Sequence, residues 1–249
     1  DVDGRPVMVG RRKLVDEHNL ELPEHLAAAA TGLEEQGRTA VFVGRDGQVV
    51  GVLAVADTVK DDAATVIRQL HAMGLHVVMI TGDNARTAAA IAAQVGIDRV
   101  VAEVLPEDKV TAIRALQDEG RVVAMVGDGV NDAPALVQAD LGIAIGTGTD
   151  VAIEASDITL MSGRLDGVVQ AIELSRQTLR TIYQNLGWAF GYNTAAIPLA
   201  ALGLLNPVIA GAAMGLSSVS VVTNSLRLRN FGRDTHQAVT SSPQAAMSQ

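Results

Sequence analysis

Cysteine is absent from this 249-residue chain. Disulfides and thiolate metal sites are therefore excluded, and any soft-metal ligand has to be methionine. The redox compartment is left open. Aromatic residues are almost as scarce, with one tryptophan, two tyrosines and three phenylalanines. With a net charge of −9, this argues against a nucleic-acid partner, whose surface needs a basic field and stacking side chains. Neither an initiator methionine nor a charged-then-apolar leader precedes Asp1-Val2-Asp3-Gly4. No signal peptide is expected, and the start reads as the continuation of something longer. What the chain has in quantity is apolar: 48% hydrophobic residues and a mean hydropathy of +0.25 are high for a purely soluble protein of one or two domains. Part of it is expected in lipid.

Residues 1–56 read as a small α+β unit, with a helix near 24–36 and Asp46-Gly47 between two β-branched runs as a hairpin turn. From residue 57 to 163 the rhythm changes to alternating helix and strand. Helices near 61–73, 85–95 and 107–119 separate nearly all-apolar strands, which predicts βαβ units and a parallel sheet covered on both faces. Ligands then belong at the carboxyl ends of the strands. Residues 164–227 begin with a helix carrying Arg164, Arg176 and Arg180, after which Thr181 to Leu226 contains no charged residue. Asn206-Pro207 divides that run into spans of about 182–205 and 207–226, each close to the ~20 residues that cross a bilayer. This predicts a transmembrane hairpin. Arginines 176 and 180 precede it and 227, 229 and 233 follow it, so both ends are expected in the cytoplasm. The alternative is a buried helical pair in a soluble core. Residues 228–249 are expected to form a cytoplasmic tail, whose final "TSSPQAAMSQ" is polar and expected to be disordered.

Three polar clusters fall at or beyond strand ends: "TGDN" at 81–84, "LPEDK" at 105–109 and "GDGVNDAP" at 127–134. A hard oxygen ligand such as Asp128 suits Mg²⁺, which takes one or two carboxylates together with phosphate oxygens. Gly127 and Gly129 allow close backbone approach and a sharp turn. Thr81, the Gly82 amide and Lys109 are suited to holding phosphate oxygens. The combination predicts a phosphoryl-transfer site, whereas each piece alone is more often a plain turn or a solvated lysine. Neither "GDG" nor "GTGTD" at 146–150 matches a dinucleotide fingerprint.

"MITGDN", "AEVLPEDKV", the long "MVGDGVNDAPALVQADLGIAIGTGTDVAIEASDITL" block and the uncharged helix pair together resemble the C-terminal part of a heavy-metal-transporting P-type ATPase. The likeness implies a haloacid-dehalogenase-like (Rossmann-like) phosphorylation domain, preceded by the remnant of a nucleotide-binding domain and followed by two membrane helices. It implies ATP and Mg²⁺ as cofactors, a phosphoenzyme cycle that drives ion transport, and a multi-pass place in the plasma membrane. By resemblance Thr81, Gly82 and Asp83 form the phosphate-binding loop and Lys109 neutralises the phosphoryl group. Asp128 is the Mg²⁺ ligand, with Asn131 and Asp132 completing the site. Asp57 in "DTVK" stands at the hinge, and Gly10 is a nucleotide-binding residue in the remaining last part of the nucleotide domain, residues 1–56.

The departures from that pattern are as informative. The "DKTGT" motif, whose aspartate is phosphorylated in the family, occurs nowhere in the chain, and no His-Pro or Gly-x-Gly precedes Asp57. Without a carboxylate nucleophile in line with the γ-phosphate, positioning by the other groups cannot substitute. The polypeptide alone is therefore expected not to hydrolyse ATP and to need the rest of the pump as partner. The alternative is a truncated, catalytically inactive protein with a regulatory role. For the cargo, Tyr192 and Asn193 in the first span and Met214 and Ser217 in the second resemble the copper(I) branch, with silver(I) left open. A thioether suits Cu(I), and no lysine or aspartate of the zinc type stands in these helices. Without the resemblance, Met214 and its small neighbours read as helix-packing residues.

Overall fold

A computed structural model describes residues 1–2, 4–55, 58–128, 131–146, 150–203 and 206–231. The chain divides into two units, Asp1–Gly167 and Val168–Gln249.

The first unit opens with strand β1 (Val7–Gly10), helices α1 (Arg12–Glu17) and α2 (Glu24–Glu35), and strands β2 (Thr39–Arg45) and β3 (Gln48–Val55). The strands form an antiparallel sheet with β2 in the middle, Phe42 opposite Val52 and Gly10 opposite Phe42. Asp46 and Gly47 both take positive φ, +54° and +81°. A two-residue turn with both centres left-handed matches strand twist, which is why the Asp-Gly pair closes the hairpin. One sheet face carries Ala40, Phe42 and Val49 onto Val15, Leu20 and Ala30 of the helical side, giving a closed small core. Six such side chains lose most of their water contact, the main driving force for this segment.

Helix α3 (Ala63–Ala72) then leads into β4 (Val78–Ile80), α4 (Ala85–Val95) and β5 (Arg99–Val101). A 3-10 turn (Pro106–Asp108) precedes α5 (Lys109–Asp118), followed by β6 (Ala124–Gly127), α6 (Ala133–Gln138), β7 (Leu141–Ile145), α7 (Asp150–Ala155) and β8 (Ile158–Leu160). Asn84 starts α4 by accepting from the amides of Arg86 and Thr87, and Gly96 at φ +82° ends it. At Gly142 a Cβ would stand 2.8 Å from the Leu136 carbonyl, so the bare Cα lets α6 lie directly on β7.

All strand pairs here are parallel, as the alternating pattern predicts, but among the described residues they fall in two sheets: β4 with β5, and β6, β7 and β8 in that order. β4 and β6 each keep one side without a ladder partner among the described residues. Their residues are half-buried, apart from the exposed Ala124.

The second unit consists mainly of α8 (Asp166–Ala201) and α9 (Pro207–Leu226), with a 3-10 turn at Arg227–Asn230. Arg164 stands before α8, paired with Asp166 at 2.9 Å, and is not on the helix as expected. Asn206 caps α9 by accepting from the Val208 amide. The helices run antiparallel, joined by Asn185 Nδ2 to Ser225 Oγ (3.0 Å) and Asn224 Nδ2 to Asn185 Oδ1 (2.9 Å) and Gln184 Oε1 (3.2 Å).

The predicted spans 182–205 and 207–226 coincide with the end of α8 and with α9, yet among the described residues no helix is long and apolar enough to cross a membrane. Gln184, Asn185, Asn193 and Pro198 stand within α8, and Ser217, Ser218, Ser220, Thr223 and Asn224 within α9. Large apolar side chains nevertheless face outward along both helices, among them Phe190, Ile197, Val208 and Leu216. The expected tail from 232 onward lies outside the described residues.

Candidate functional site

Gly127 is the last residue of β6, and Asp128 follows it, exposed at the carboxyl end of the strand. Asp132 sits where α6 begins, a position at which an aspartate commonly caps the helix; it makes no such cap bond. Its carboxylate turns instead to Lys109, the first residue of α5, with Nζ 2.5 Å from Oδ1. Both groups are largely withdrawn from water, at 18% and 11% side-chain exposure. Glycine at 127 makes the room: a Cβ there would lie 2.7 Å from Asp132 Oδ2. The "GDGVNDAP" and "LPEDK" segments are thereby joined by a charge-assisted hydrogen bond of the strong kind.

The "TGDN" loop is built separately. Thr81 continues the ladder of β4 by donating its amide to the Val101 carbonyl, and its own carbonyl accepts from Val104. The Asp83 amide donates to Thr81 Oγ1, which donates in turn to Asp83 Oδ2. The other carboxylate oxygen, Oδ1, accepts from Thr39 Oγ1 at 3.2 Å and lies 3.6 Å from the Arg11 guanidinium. Arg11 also donates to the Gly82 carbonyl. A second set of contacts flanks this one: Asn84 Nδ2 and Arg86 Nη1 both donate to the Glu34 carboxylate, and Thr87 Oγ1 to the Arg38 carbonyl. The small α+β segment thus holds the loop from above.

Several predicted residues are brought together. Lys109 and Asp132 touch, with Gly127 beneath and the exposed Asn131 alongside. Thr81, Gly82 and Asp83 share one loop. Among the described residues no hydrogen bond or ion pair links that loop to Lys109, Asp128 or Asp132. Gly10 ends β1 and delivers Arg11 to the loop. Asp57, Gly129 and most of "GTGTD" lie outside the described residues. Arg11, Glu34 and Thr39 are contact residues that the sequence reading missed; only their fold-level placement identifies them.

For Mg²⁺ the donor set fits in part. Asp128 offers one exposed, hard carboxylate, whereas Asp132 is committed to Lys109. No group of three or more His, Asp or Glu side chains among the described residues is arranged to hold a metal ion. A cation here would rely on phosphate oxygens and water for its remaining ligands, as Mg²⁺ sites commonly do.

On the helix pair, Asn193 Nδ2 bonds to its own helix at the Ala189 carbonyl, and Ser218 Oγ to the Met214 carbonyl. Tyr192 stacks on Trp188 with ring centroids 6.0 Å apart. Met214 is 72% exposed. The antiparallel register puts Tyr192 and Asn193 at about the level of Ser217, without a direct bond between them.

A sequence profile of haloacid dehalogenase-like hydrolases matches residues 3–140, more than half of the chain. The chain belongs to the haloacid dehalogenase-like hydrolase family. This haloacid dehalogenase-like chain is 85% identical over 237 residues to a probable copper-exporting P-type ATPase V of Mycobacterium tuberculosis. That match covers 95% of the chain and 31% of the relative. It is 58% identical over 230 residues to a copper-exporting P-type ATPase of Staphylococcus aureus, covering 92% of the chain and 29% of the relative. The chain therefore spans about a third of the length of these curated relatives. Among solved structures, a zinc-transporting PIB-type ATPase in an E2·Pi state superposes with a TM-score of 0.72 at 41% identity, over 92% of this chain and 36% of that one. The resemblance to heavy-metal P-type ATPases read from the motifs is upheld by these matches.

Proposed function

We propose that this chain acts as the C-terminal portion of an ATP-driven copper(I) export pump. The observation that carries the reading is the Lys109–Asp132 pair at the foot of the Gly127-Asp128 strand end, formed by two motifs separated by 23 positions. A largely desolvated lysine, paired with the aspartate that opens α6, suits a transferring phosphoryl group, whose equatorial oxygens need fixed positive charge. Asp128 and phosphate oxygens would hold Mg²⁺, which neutralises charge on the phosphates when bound. Thr81 and the Gly82 amide would orient the phosphoryl group, and Lys109 would turn from Asp132 to it. Arg11 would then keep the nucleotide segment closed over the loop.

The division of the parallel strands supports the same reading. The unpaired sides of β4 and β6 are where a strand carrying the phosphorylated aspartate would complete one sheet. On this account the chain alone does not turn over ATP, and the remainder of the pump supplies the nucleophile. The helix pair would lie in the plasma membrane beside further helices, its amides and hydroxyls facing protein and its outward Phe190, Ile197 and Leu216 facing lipid. Polar side chains at the interior of a bundle are tolerated in that way. Met214 would offer a thioether to Cu(I), with silver(I) a second soft cation of suitable chemistry.

Copper sensitivity of cells lacking their own exporter tests this. Co-expression of the chain with a pump N-terminal piece bearing the nucleophile is expected to restore growth in copper, and Met214→Ala to weaken the rescue. No rescue, with both pieces verified as folded and associated, overturns the proposal; undiminished rescue by Met214→Ala removes that residue from the path.

A further inference from the structure

We propose that Glu103 accepts hydrogen bonds from the ribose hydroxyls of the nucleotide, and so makes the site prefer a ribonucleotide over its 2′-deoxy counterpart. The inference rests on the phosphoryl-transfer reading above. Glu103 lies just beyond the carboxyl end of β5 and is exposed, with φ at +59°. Among the described residues the other non-glycine positions with positive φ are Asn19 and Asp46. Short Asn and Asp side chains tolerate that region by bonding locally; the longer glutamate does not.

The backbone accounts for the left-handed step but not for the glutamate. Thr81 donates its amide to the Val101 carbonyl, Val104 to the Thr81 carbonyl and Glu103 to the Asp83 carbonyl at 2.8 Å, which laces residues 101–104 to the "TGDN" loop. The approach is close: a Cβ on Gly82 would stand 3.2 Å from the Val104 carbonyl. Glycine would take the step at 103 without strain. Glutamate takes it at a cost, and among the described residues its carboxylate has no hydrogen bond or ion pair to offset that cost. The nearby carboxylates are engaged, Asp83 by Thr39, Thr81 and Arg11, Glu34 by Asn84 and Arg86, and Asp132 by Lys109. Backbone strain under an unpaired side chain at the rim of a site points to a ligand contact.

Chemistry narrows that ligand. A phosphate would be repelled by the carboxylate, and no cluster of three or more His, Asp or Glu side chains among the described residues could hold a metal ion here. A neutral donor remains, and the two adjacent hydroxyls of a ribose match the two oxygens of one carboxylate. The position fits as well. β4 and β5 are parallel neighbours, about 4.8 Å apart, so Glu103 stands one strand away from the loop assigned to the phosphates, 21 positions beyond Gly82. An acidic side chain in that relation to a phosphate loop is how parallel α/β sheets hold a ribose.

The test uses membranes holding this chain together with the nucleophile-bearing N-terminal piece. It reads the concentration of ATP, or of 2′-deoxy-ATP, that gives half-maximal phosphoenzyme, each labelled on the γ-phosphate. One hydrogen bond to a charged acceptor corresponds to about tenfold, so the native assembly is expected to need about ten times more 2′-deoxy-ATP than ATP. Glu103→Gly should bring that ratio to about one by weakening ATP alone. The same variant should unfold at a midpoint no lower than native, because a left-handed position favours glycine. A lower midpoint overturns the strain argument. Equal requirements for the two nucleotides in the native assembly, or a preference that survives Glu103→Gly, overturn the ribose contact and leave the phosphoryl-transfer reading standing. No label from either nucleotide, with the two pieces co-purified, overturns that reading and this one with it.

Discussion

Replacing Lys109 by methionine leaves the Asp132 carboxylate without its partner in a place where water reaches only 11% of the side chain. Breaking a buried ion pair by removing one member costs about 3–5 kcal/mol, because the remaining charge is left uncompensated. The small residual exposure of both groups places this pair at the lower end, about 3 kcal/mol, or roughly a hundredfold in the folding equilibrium. Asp132→Leu combined with Lys109→Met removes both charges, and such replacements are close to neutral. The double variant is therefore expected within about 1 kcal/mol of the native chain, about 2 kcal/mol or more above Lys109→Met alone. Urea unfolding followed by far-UV circular dichroism reads both stabilities. A Lys109→Met chain within about 0.5 kcal/mol of native, the range of ordinary surface substitutions, would refute the claim that α5 and α6 are tied by a desolvated pair.

Gly127→Ala puts a Cβ 2.7 Å from Asp132 Oδ2 and 3.0 Å from its Cβ, so a loss of about 1–3 kcal/mol is expected from the forced displacement; an unchanged Tm contradicts the close packing. Arg11→Ala removes an exposed ion pair, so global stability should change by less than about 1 kcal/mol, while hydrogen exchange at Gly82 to Asn84 accelerates. Unaltered exchange there would mean that Arg11 does not hold the loop. Asp98 accepts the Val77 amide and lies 2.9 Å from His71, and that amide first, then the nearby histidines, hold its carboxyl below the ordinary value. A depressed folded-state pKa gives stability that is present above the unfolded value and lost as pH falls through the folded one. Asp98→Asn should consequently flatten the acid limb of the stability profile, and coincident acid limbs for the two chains would contradict the assignment.

Legibility followed the range of the interactions. Asp46-Gly47 announces its turn because two left-handed residues in succession are costly for most other pairs. Asn84 and Gly96 likewise bound α4 by rules that act within a few residues. Lys109 and Asp132 were recognisable as chemistry through their motifs, but their pairing depends on α5 and α6 packing side by side. Arg11, Glu34 and Thr39 carry no local signal at all; what makes them partners of the Thr81–Asn84 loop is the docking of one segment on another across 44 or more positions. The division of the parallel strands escaped the reading for a related reason. Apolar runs report that a strand is to be covered, and say nothing of which neighbour supplies its hydrogen bonds. For α8 and α9, absence of charge was visible at once, and the two helices fall where the uncharged run and the Asn206-Pro207 break place them.

The claim that matters most is that this chain provides the phosphate-binding half of a copper-dependent phosphoryl-transfer site. Its most direct test is phosphoenzyme formation from ATP radiolabelled on the γ-phosphate, in membranes holding the nucleophile-bearing N-terminal piece with and without this chain. The account predicts a hydroxylamine-sensitive label on the N-terminal piece that requires both Cu(I) and this chain and is lost with Lys109→Ala. Absence of label although the two pieces co-purify, or a label indifferent to Lys109, would contradict it.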